Sequence, residues 1–387
     1  MMEWLQHIST TDYWLLALLG AVWVYQLYFW IRYMGAAFRK QLKVKSLKLR
    51  GEEYEGVTVV VCARNEADNL RTYLHSLAEQ DYPLYEVIVV NDGSQDDTQA
   101  VIDEYVHTYP HVHCTFVPQE ARLRSTKKLA ITLAAKAAQY DWLLLTDADC
   151  RPVGKQWIRS MYDAQCMVNG ERCEVILGYG AYFETKDWIN RVIRYETLTS
   201  GMQYLGFALN GCPYMGVGRN LMYRKSTFFQ HEGFAHMMML RSGDDDLLVH
   251  KIANKENTCV AVSPQSVTWS IPKTNWTDWI RQKRRHLGAS TFYRESVRLR
   301  LGLEPMTRGI FYAMLIVIGV YGSWIARFVA IGMVLIRLLL QLIFVNRQAA
   351  VWQTKGFGLT IMWYDIVLPV LTAWLLITQP KNQHDRW

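Results

Sequence analysis

The sequence contains no Cys-x-x-Cys pair, and its seven cysteines (62, 114, 150, 166, 173, 212, 259) have no Cys/His spacing of the kind that holds zinc. Zinc ribbons and dithiol redox motifs are thereby excluded, and the cysteines read as free thiols, mostly buried, in a reducing compartment. No basic motif interleaved with aromatics is present, and a formal charge of +7 is modest for 387 residues. Nucleic acid is therefore not an expected partner, whereas attraction to an anionic membrane fits. The first 13 residues hold Glu3 and Asp12 but no Lys or Arg, so the basic segment that opens a secretory signal peptide is missing. The chain is instead rich in apolar surface, with 51% hydrophobic residues and 15 Trp.

Residues 13–34 are almost wholly apolar, about the length that spans a bilayer. Arg32, Arg39, Lys40, Lys43, Lys45, Lys48 and Arg50 follow, with no acid before Glu52. By the positive-inside rule the N-terminus lies outside and the next segment is cytoplasmic. Further apolar runs at 309–321, 328–345 and 359–377 are candidate spans, separated by Gly322-Ser323-Trp324 and by residues 346–358. The first is short, and Arg327 and Arg337 interrupt the region, so two or three C-terminal spans are expected. Three would leave the tail outside, and two would leave it cytoplasmic. The expected organisation is an anchor and basic linker over 1–50, a catalytic domain over 51–268, interfacial helices over 269–308 and a membrane region over 309–387. The whole is an integral protein of the inner or plasma membrane.

Between these runs the pattern is α/β. Strands are expected at 57–62, 86–90, 112–117 and 142–147, alternating with helices at 67–79, from Ser94 or Asp96 to before Pro110, and at 127–139. Such alternation implies a largely parallel sheet with right-handed crossovers. A helix over 152–168, a strand over 174–181 and a helix over 183–207 lying on the membrane face are expected next. Then comes the Gly-rich stretch 210–220, which is either a simple loop or a close approach of backbone to ligand.

The acidic residues fall at strand ends. Trp142-Leu-Leu-Leu-Thr-Asp147-Ala-Asp149 is an apolar strand that stops at two carboxylates. In open α/β sheets ligands bind at that edge, and two carboxylates there can hold a divalent ion together with substrate phosphates. The competing reading is a turn with a helix cap. Asn91-Asp92-Gly93-Ser94 ends another strand, and Asp92 either shapes a tight turn or binds the base or ribose of a nucleotide. Ser242-Gly243-Asp244-Asp245-Asp246 is a second acidic cluster, either a helix start suited to the dipole or the source of a general base. Near Trp269, Trp276 and Trp279, the run Arg281-Gln282-Lys283-Arg284-Arg285-His286 fits an interfacial helix. Gln282 and Arg285 lie three apart on one face, and Arg can neutralise a diphosphate leaving group.

Taken in this order, Asp92, Asp147-x-Asp149, Gly243-Asp244-Asp245-Asp246-Leu247 and Gln282-x-x-Arg285-His286 resemble the motif set of family-2 inverting glycosyltransferases with a GT-A fold, across about residues 55–290. Glu66, with the strand before it, and Lys127 and Lys128 also resemble that family's nucleotide pocket. The resemblance implies a Mg2+ or Mn2+ held by Asp147 and Asp149, and a nucleotide-sugar donor, UDP-linked with GDP as the alternative, gripped by Asp92 with help from Lys127 or Lys128. It implies Asp244 or Asp245 as base, with Gln282 and Arg285 closing over diphosphate and acceptor. Two departures stand out. Gly243 or Asp244 occupies the place of the family's Glu, and His286 replaces a Trp that helps form the acceptor site. Relatives divide into lipid-glycosylating enzymes and processive polysaccharide synthases. Three or four spans favour transfer to a membrane lipid or lipid-linked acceptor, a polymer channel requiring an oligomer or partner subunit. An inactive nucleotide-sugar-binding scaffold is the alternative of another class. A nucleotidyltransferase would need a Gly-rich phosphate loop, and nothing here looks like one.

Overall fold

The computed structural model describes residues 9–44, 54–118, 126–165, 173–238, 240 and 243–378; Glu3, the basic residues Lys45, Lys48 and Arg50, Cys166 and Ser242 lie outside them. The first helix, α1 (Thr10–Phe29), starts at a capping box in which Ser9 and Asp12 exchange side-chain-to-backbone hydrogen bonds. It widens into a π-helical turn (Trp30–Met34) and continues as α2 (Ala36–Val44).

The α/β unit then begins with β1 (Val57–Ala63), α3 (Ala67–Ala78), β2 (Tyr85–Asn91), α4 (Thr98–Thr108), β3 (Val112–Phe116), α5 (Thr126–Ala137) and β4 (Trp142–Asp147). Strands β3, β2, β1 and β4 are neighbours in that order and parallel. The apolar runs of β1, β2 and β4 are continuous because both faces are covered, whereas β3 at the sheet edge is largely exposed. Val57, Val59 and Val61 pack with Leu70 and Leu74 of α3, while Val60, Leu143 and Leu145 pack with Ala130 and Ala134 of α5 on the other side. Register places Ala63 opposite Asn91, and Cys62 opposite Asp147, so both acidic turns leave from one edge. Helix α4 starts later than expected. Ser94 and Asp96 instead receive the backbone N–H groups of Asn65 and Ala67, tying the β1 turn to the β2 turn.

Beyond β4 the expected helix over 152–168 is replaced by a strand, β5 (Cys150–Pro152), and a short helix, α6 (Trp157–Tyr162). The expected strand over 174–181 is two: β6 (Val175–Leu177), and β7 (Gly180–Tyr182), which lies in a second sheet. The chain switches sheets at Gly178-Tyr179, where Tyr179 stacks on Trp352 with centroids 4.0 Å apart. Helix α7 (Trp188–Leu209) is a core element and not a surface one, buried around most of its circumference between the large sheet and the membrane helices. Then come β8 (Leu221–Arg224), α8 (Lys225–Gln230), α9 (Asp246–Ile252), β9 (Thr258–Val260), β10 (Thr268–Ser270) and α10 (Trp276–Ala289). Strands β8, β6 and β9 extend the large sheet with antiparallel pairings at β8, and β5, β10 and β7 form the small sheet.

The chain ends in α11 (Glu295–Tyr321), α12 (Trp324–Val351) and α13 (Ile361–Ile377). Helix α11 runs unbroken through residues 308 and 309, so its span is longer than the apolar run alone suggests, and α12 continues past residue 346. With α1, four helices among the described residues are long and apolar enough to cross a membrane. They are joined by buried polar groups: Arg337 pairs with Asp365, and Gln26 of α1 donates to Thr307 at 2.8 Å.

Candidate active site

The site forms where β1, β2 and β4 end. Asn65 holds a left-handed backbone (φ 55°), and the N–H of Glu66 donates to Thr98 at 2.9 Å. Glu66 is half-buried, and burial, with repulsion from Asp149 and Asp147, raises its pKa in spite of a hydrogen bond from Asn69. Asp92 is buried, and its carboxylate accepts from Thr126, the first residue of α5.

The next two residues diverge, because neighbours on a helix point about 100° apart. The ammonium of Lys127 lies 2.8 Å from Asp147 Oδ1 and 3.2 Å from Asp244 Oδ2, bridging the two acidic motifs. Burial opposes its charge, but Asp147 and Asp244 outweigh this and hold its pKa well above the usual lysine value. Lys128 is turned elsewhere: fully buried, it donates to the carbonyls of Met237 (2.8 Å) and Leu240 (2.6 Å).

Asp149 accepts from Ser270 of β10 at 3.1 Å and from the Cys150 thiol at 3.4 Å. Donor atoms of Asp147, Asp149 and Cys150 lie within 4.8 Å of one another. Burial pushes the Cys150 thiol well above its ordinary pKa, so it is protonated and donates to Asp149. Two hard carboxylates therefore remain, a set that suits Mg2+ or Mn2+ with positions left for phosphate and water.

The three aspartates of the second cluster have distinct surroundings. Gly243 has φ 84°, and a Cβ there would come within 2.4 Å of Leu247, so the chain can enter α9 only through glycine at this point. Asp244 faces Lys127; burial acts upward on its pKa, but Lys127 carries it below the ordinary carboxylate range. Asp245 turns inward as the N-cap of α9, accepting from the N–H groups of Asp246 and, at 2.9 Å, Gly218. Asp246 is buried and accepts from the Tyr293 hydroxyl at 3.0 Å; burial, then the Asp245 charge, raises it to about 8.

On α10, Gln282 donates to the Tyr182 hydroxyl at 3.2 Å, while Arg285 and His286 are exposed. Sequence reasoning did not single out Tyr182, Ser270, Thr126 or Arg219. Arg219 closes the Gly-rich stretch, stacks 4.1 Å above the Tyr182 ring and donates to the Gly180 carbonyl at 2.6 Å. Gly180 leaves the room it occupies, since a Cβ there would meet the Arg219 side chain at 2.3 Å, and no sequence signal links the two. The structure thus gathers Asp92, Lys127, Asp147, Asp149 and Asp244 around one strand edge, with Glu66 near the pair of Asp147 and Asp149. Asp245 and Lys128 serve the loops behind it.

Residues 58–228 match the model of a family described as glycosyl transferase family 2. The probable glycosyltransferase YdaM of Bacillus subtilis is 22% identical over 279 residues, 69% of this chain and 63% of its own length. The poly-beta-1,6-N-acetyl-D-glucosamine synthase of Staphylococcus epidermidis is 30% identical over 122 residues, 32% of this chain and 27% of the synthase. This chain thus spans less than two thirds of these relatives. A solved mannosyltransferase from Pyrobaculum calidifontis, in complex with GDP-Man and Mn2+, shares the fold with a TM-score of 0.50 at 19% identity, covering 87% of this chain and 100% of that one.

Proposed function

We propose, from the premise that this chain carries a family-2 glycosyltransferase domain of GT-A fold, that it moves a sugar from a UDP-sugar to a membrane lipid or lipid-linked acceptor with inversion at the anomeric carbon. The observation that carries the reading is the Lys127 bridge, which puts the carboxylates suited to metal and donor one ammonium away from the carboxylate suited to be base.

In this reading Asp92 and Thr126 hold the nucleoside, and Glu66 closes the pocket beside them. Asp147 and Asp149 would hold Mg2+ or Mn2+, which when bound neutralises the diphosphate leaving group. The diphosphate competes with Asp147 and Asp244 for Lys127, so donor binding frees an Asp244 oxygen for the acceptor hydroxyl. Asp244 then takes that proton as the hydroxyl oxygen bonds to the anomeric carbon and the bond to the diphosphate breaks. Asp245 is committed to capping α9, which favours Asp244 as base. Gln282, steadied by Tyr182, and Arg285 line the acceptor side.

A lipid acceptor is favoured because α10, which carries Gln282, rests on the hydrophobic α13 through Arg284, 3.2 Å from Thr378 Oγ1. The name of the Staphylococcus epidermidis relative supports a second reading, a polysaccharide synthase subunit. Membranes holding the protein, given labelled UDP- and GDP-sugars with Mn2+, separate the two. Organic-soluble label lost in Asp149→Ala fits the lipid transferase, and label in a large water-soluble product overturns it. Nucleotide binding without turnover for any donor would indicate a scaffold.

A further inference from the structure

Length and hydropathy make residues 358–377 a candidate span, but the contacts at the two ends of this segment point elsewhere. At its start, Arg191 and Arg194 of α7 donate to the carbonyls of Phe357 (3.3 Å) and Lys355 (3.2 Å), and Tyr195 stacks on Tyr364 with centroids 4.7 Å apart. At its end, Arg284 of α10 donates to Thr378 Oγ1 at 3.2 Å and lies 5.7 Å from the centroid of the Trp374 ring. Helices α7 and α10 both pack on the α/β unit: α7 lies beneath the large sheet, and Gln282 of α10 reaches Tyr182 in the site. Both ends of α13 are therefore held from the same side.

The other helices give the depth. At the far end of the bundle, Asp12 of α1 accepts from the N–H of Ser323 at 3.1 Å, just before α12. Gln26 is fourteen residues further along α1, hence about 21 Å away. It accepts from Arg337, which pairs with Asp365 of α13. Taking the polar pair of Asp12 and Ser323 as the far boundary of a hydrocarbon core about 30 Å thick, Asp365 lies about 9 Å inside the catalytic-side boundary. A helix crossing from there would carry Thr378 about 20 Å deeper, to the level of Asp12 and Ser323 and far from Arg284. Helices lying in the membrane plane rest about 5–10 Å into the headgroup and acyl boundary, which is the depth found for Asp365.

We infer that α13 does not cross the membrane. It lies in the plane of the catalytic-side leaflet, leaves Thr378 on the same side as the catalytic domain, and leaves three crossings among the described residues. Met362, Trp363, Ile366, Val370, Trp374, Leu376 and Ile377, between 46% and 83% exposed, fall in one arc about 160° wide at 100° per residue. The opposite face carries the buried Ile361, Tyr364, Asp365 and Leu375. The occupant of the exposed stripe is the acyl layer of that leaflet, into which the apolar arc dips while the buried face stays docked through Asp365 on Arg308 and Arg337.

The test reads position and not activity, so it stands apart from the assignment of donor and acceptor. Nitroxides are placed singly by Trp363→Cys, Val370→Cys and Ile377→Cys in the full chain, reconstituted in vesicles, with the Cys114→Ala parent as background. Power-saturation depths should agree to within a few Å, whereas a crossing helix would change depth by about 10 Å at each seven-residue step. In sealed vesicles of known orientation, a membrane-impermeant maleimide should label Thr378→Cys together with Lys155→Cys, and Tyr321→Cys only in the opposite orientation. A graded set of depths, or labelling of Thr378→Cys together with Tyr321→Cys, overturns the inference.

Discussion

Lys127→Met removes one ammonium from between two carboxylates and leaves the apolar stem in place. Asp147 is 36% and Asp244 18% exposed, so water reaches both and the change in folding stability should stay below about 1 kcal/mol. Binding should respond more strongly, and with opposite signs for two ligands. A charge-assisted hydrogen bond to a diphosphate contributes about 1.5–3 kcal/mol, so nucleotide affinity should fall by about 10- to 100-fold. Mn2+ affinity without nucleotide should rise, because Asp147 no longer has a competing cation at 2.8 Å. The neighbouring residue provides the contrast. Lys128→Met leaves the Met237 and Leu240 carbonyls without this donor, at a cost of about 2–4 kcal/mol in stability, while nucleotide affinity stays within about threefold. Titration calorimetry with UDP and GDP, Mn2+ electron paramagnetic resonance and thermal unfolding in detergent measure the three quantities. Equal nucleotide affinity in Lys127→Met and the unsubstituted chain would refute the bridging role.

Asp244→Asn should lower turnover by about 10²- to 10⁴-fold with UDP affinity retained, and unchanged turnover would remove Asp244 as base. Asp149→Ala should abolish Mn2+ binding to the nucleotide-free protein, seen as loss of the bound-ion resonance change, whereas retained binding would place the metal elsewhere. Asp246 has a pKa of about 8 against an ordinary 3.8, so the folded chain keeps a proton that the unfolded chain releases. Stability contributed there is lost as pH rises from about 4 to about 8. Asp246→Asn should flatten that part of the curve of unfolding temperature against pH, and an unaltered slope would count against it.

The parallel half of the sheet was legible because β1, β2 and β4 are covered on both faces, which writes them as unbroken apolar runs that stop at acids. Asp92 and Asp147 could be placed at one edge by strand order alone. The antiparallel half was not legible, since β6 and β7 have three residues each, too few for periodicity, and the switch at Gly178-Tyr179 depends on Trp352, which lies far away in sequence. Helix α7 lost its amphipathic signature because membrane helices cover the face that would otherwise meet water. At the site, a motif of adjacent aspartates could not say which one faces the cleft. That follows from the turn at Gly243 and from the Gly218 N–H that claims Asp245. Lys127 and Lys128 were equivalent in sequence and are separated only by the rotation of α5.

The small sheet ties the metal-suited end of the cleft to α10, the helix that carries Gln282. Strand β5 follows directly from Asp149 and pairs with β10, whose Ser270 donates back to Asp149, and β10 pairs in turn with β7, whose Tyr182 accepts from Gln282 of α10. If Gln282 serves the acceptor, loosening it should leave donor binding intact. Tyr182→Phe removes the hydroxyl that accepts from Gln282 while keeping the ring under Arg219, and for the Gln282 bond alone the loss is about 0.5–1.5 kcal/mol. Turnover or acceptor KM should therefore worsen by about 2- to 10-fold, with UDP affinity and Mn2+ binding at their unsubstituted values. A fall in UDP affinity as large as that of Lys127→Met would instead put Gln282 at the donor end, and α10 would close over the nucleotide and not over the acceptor.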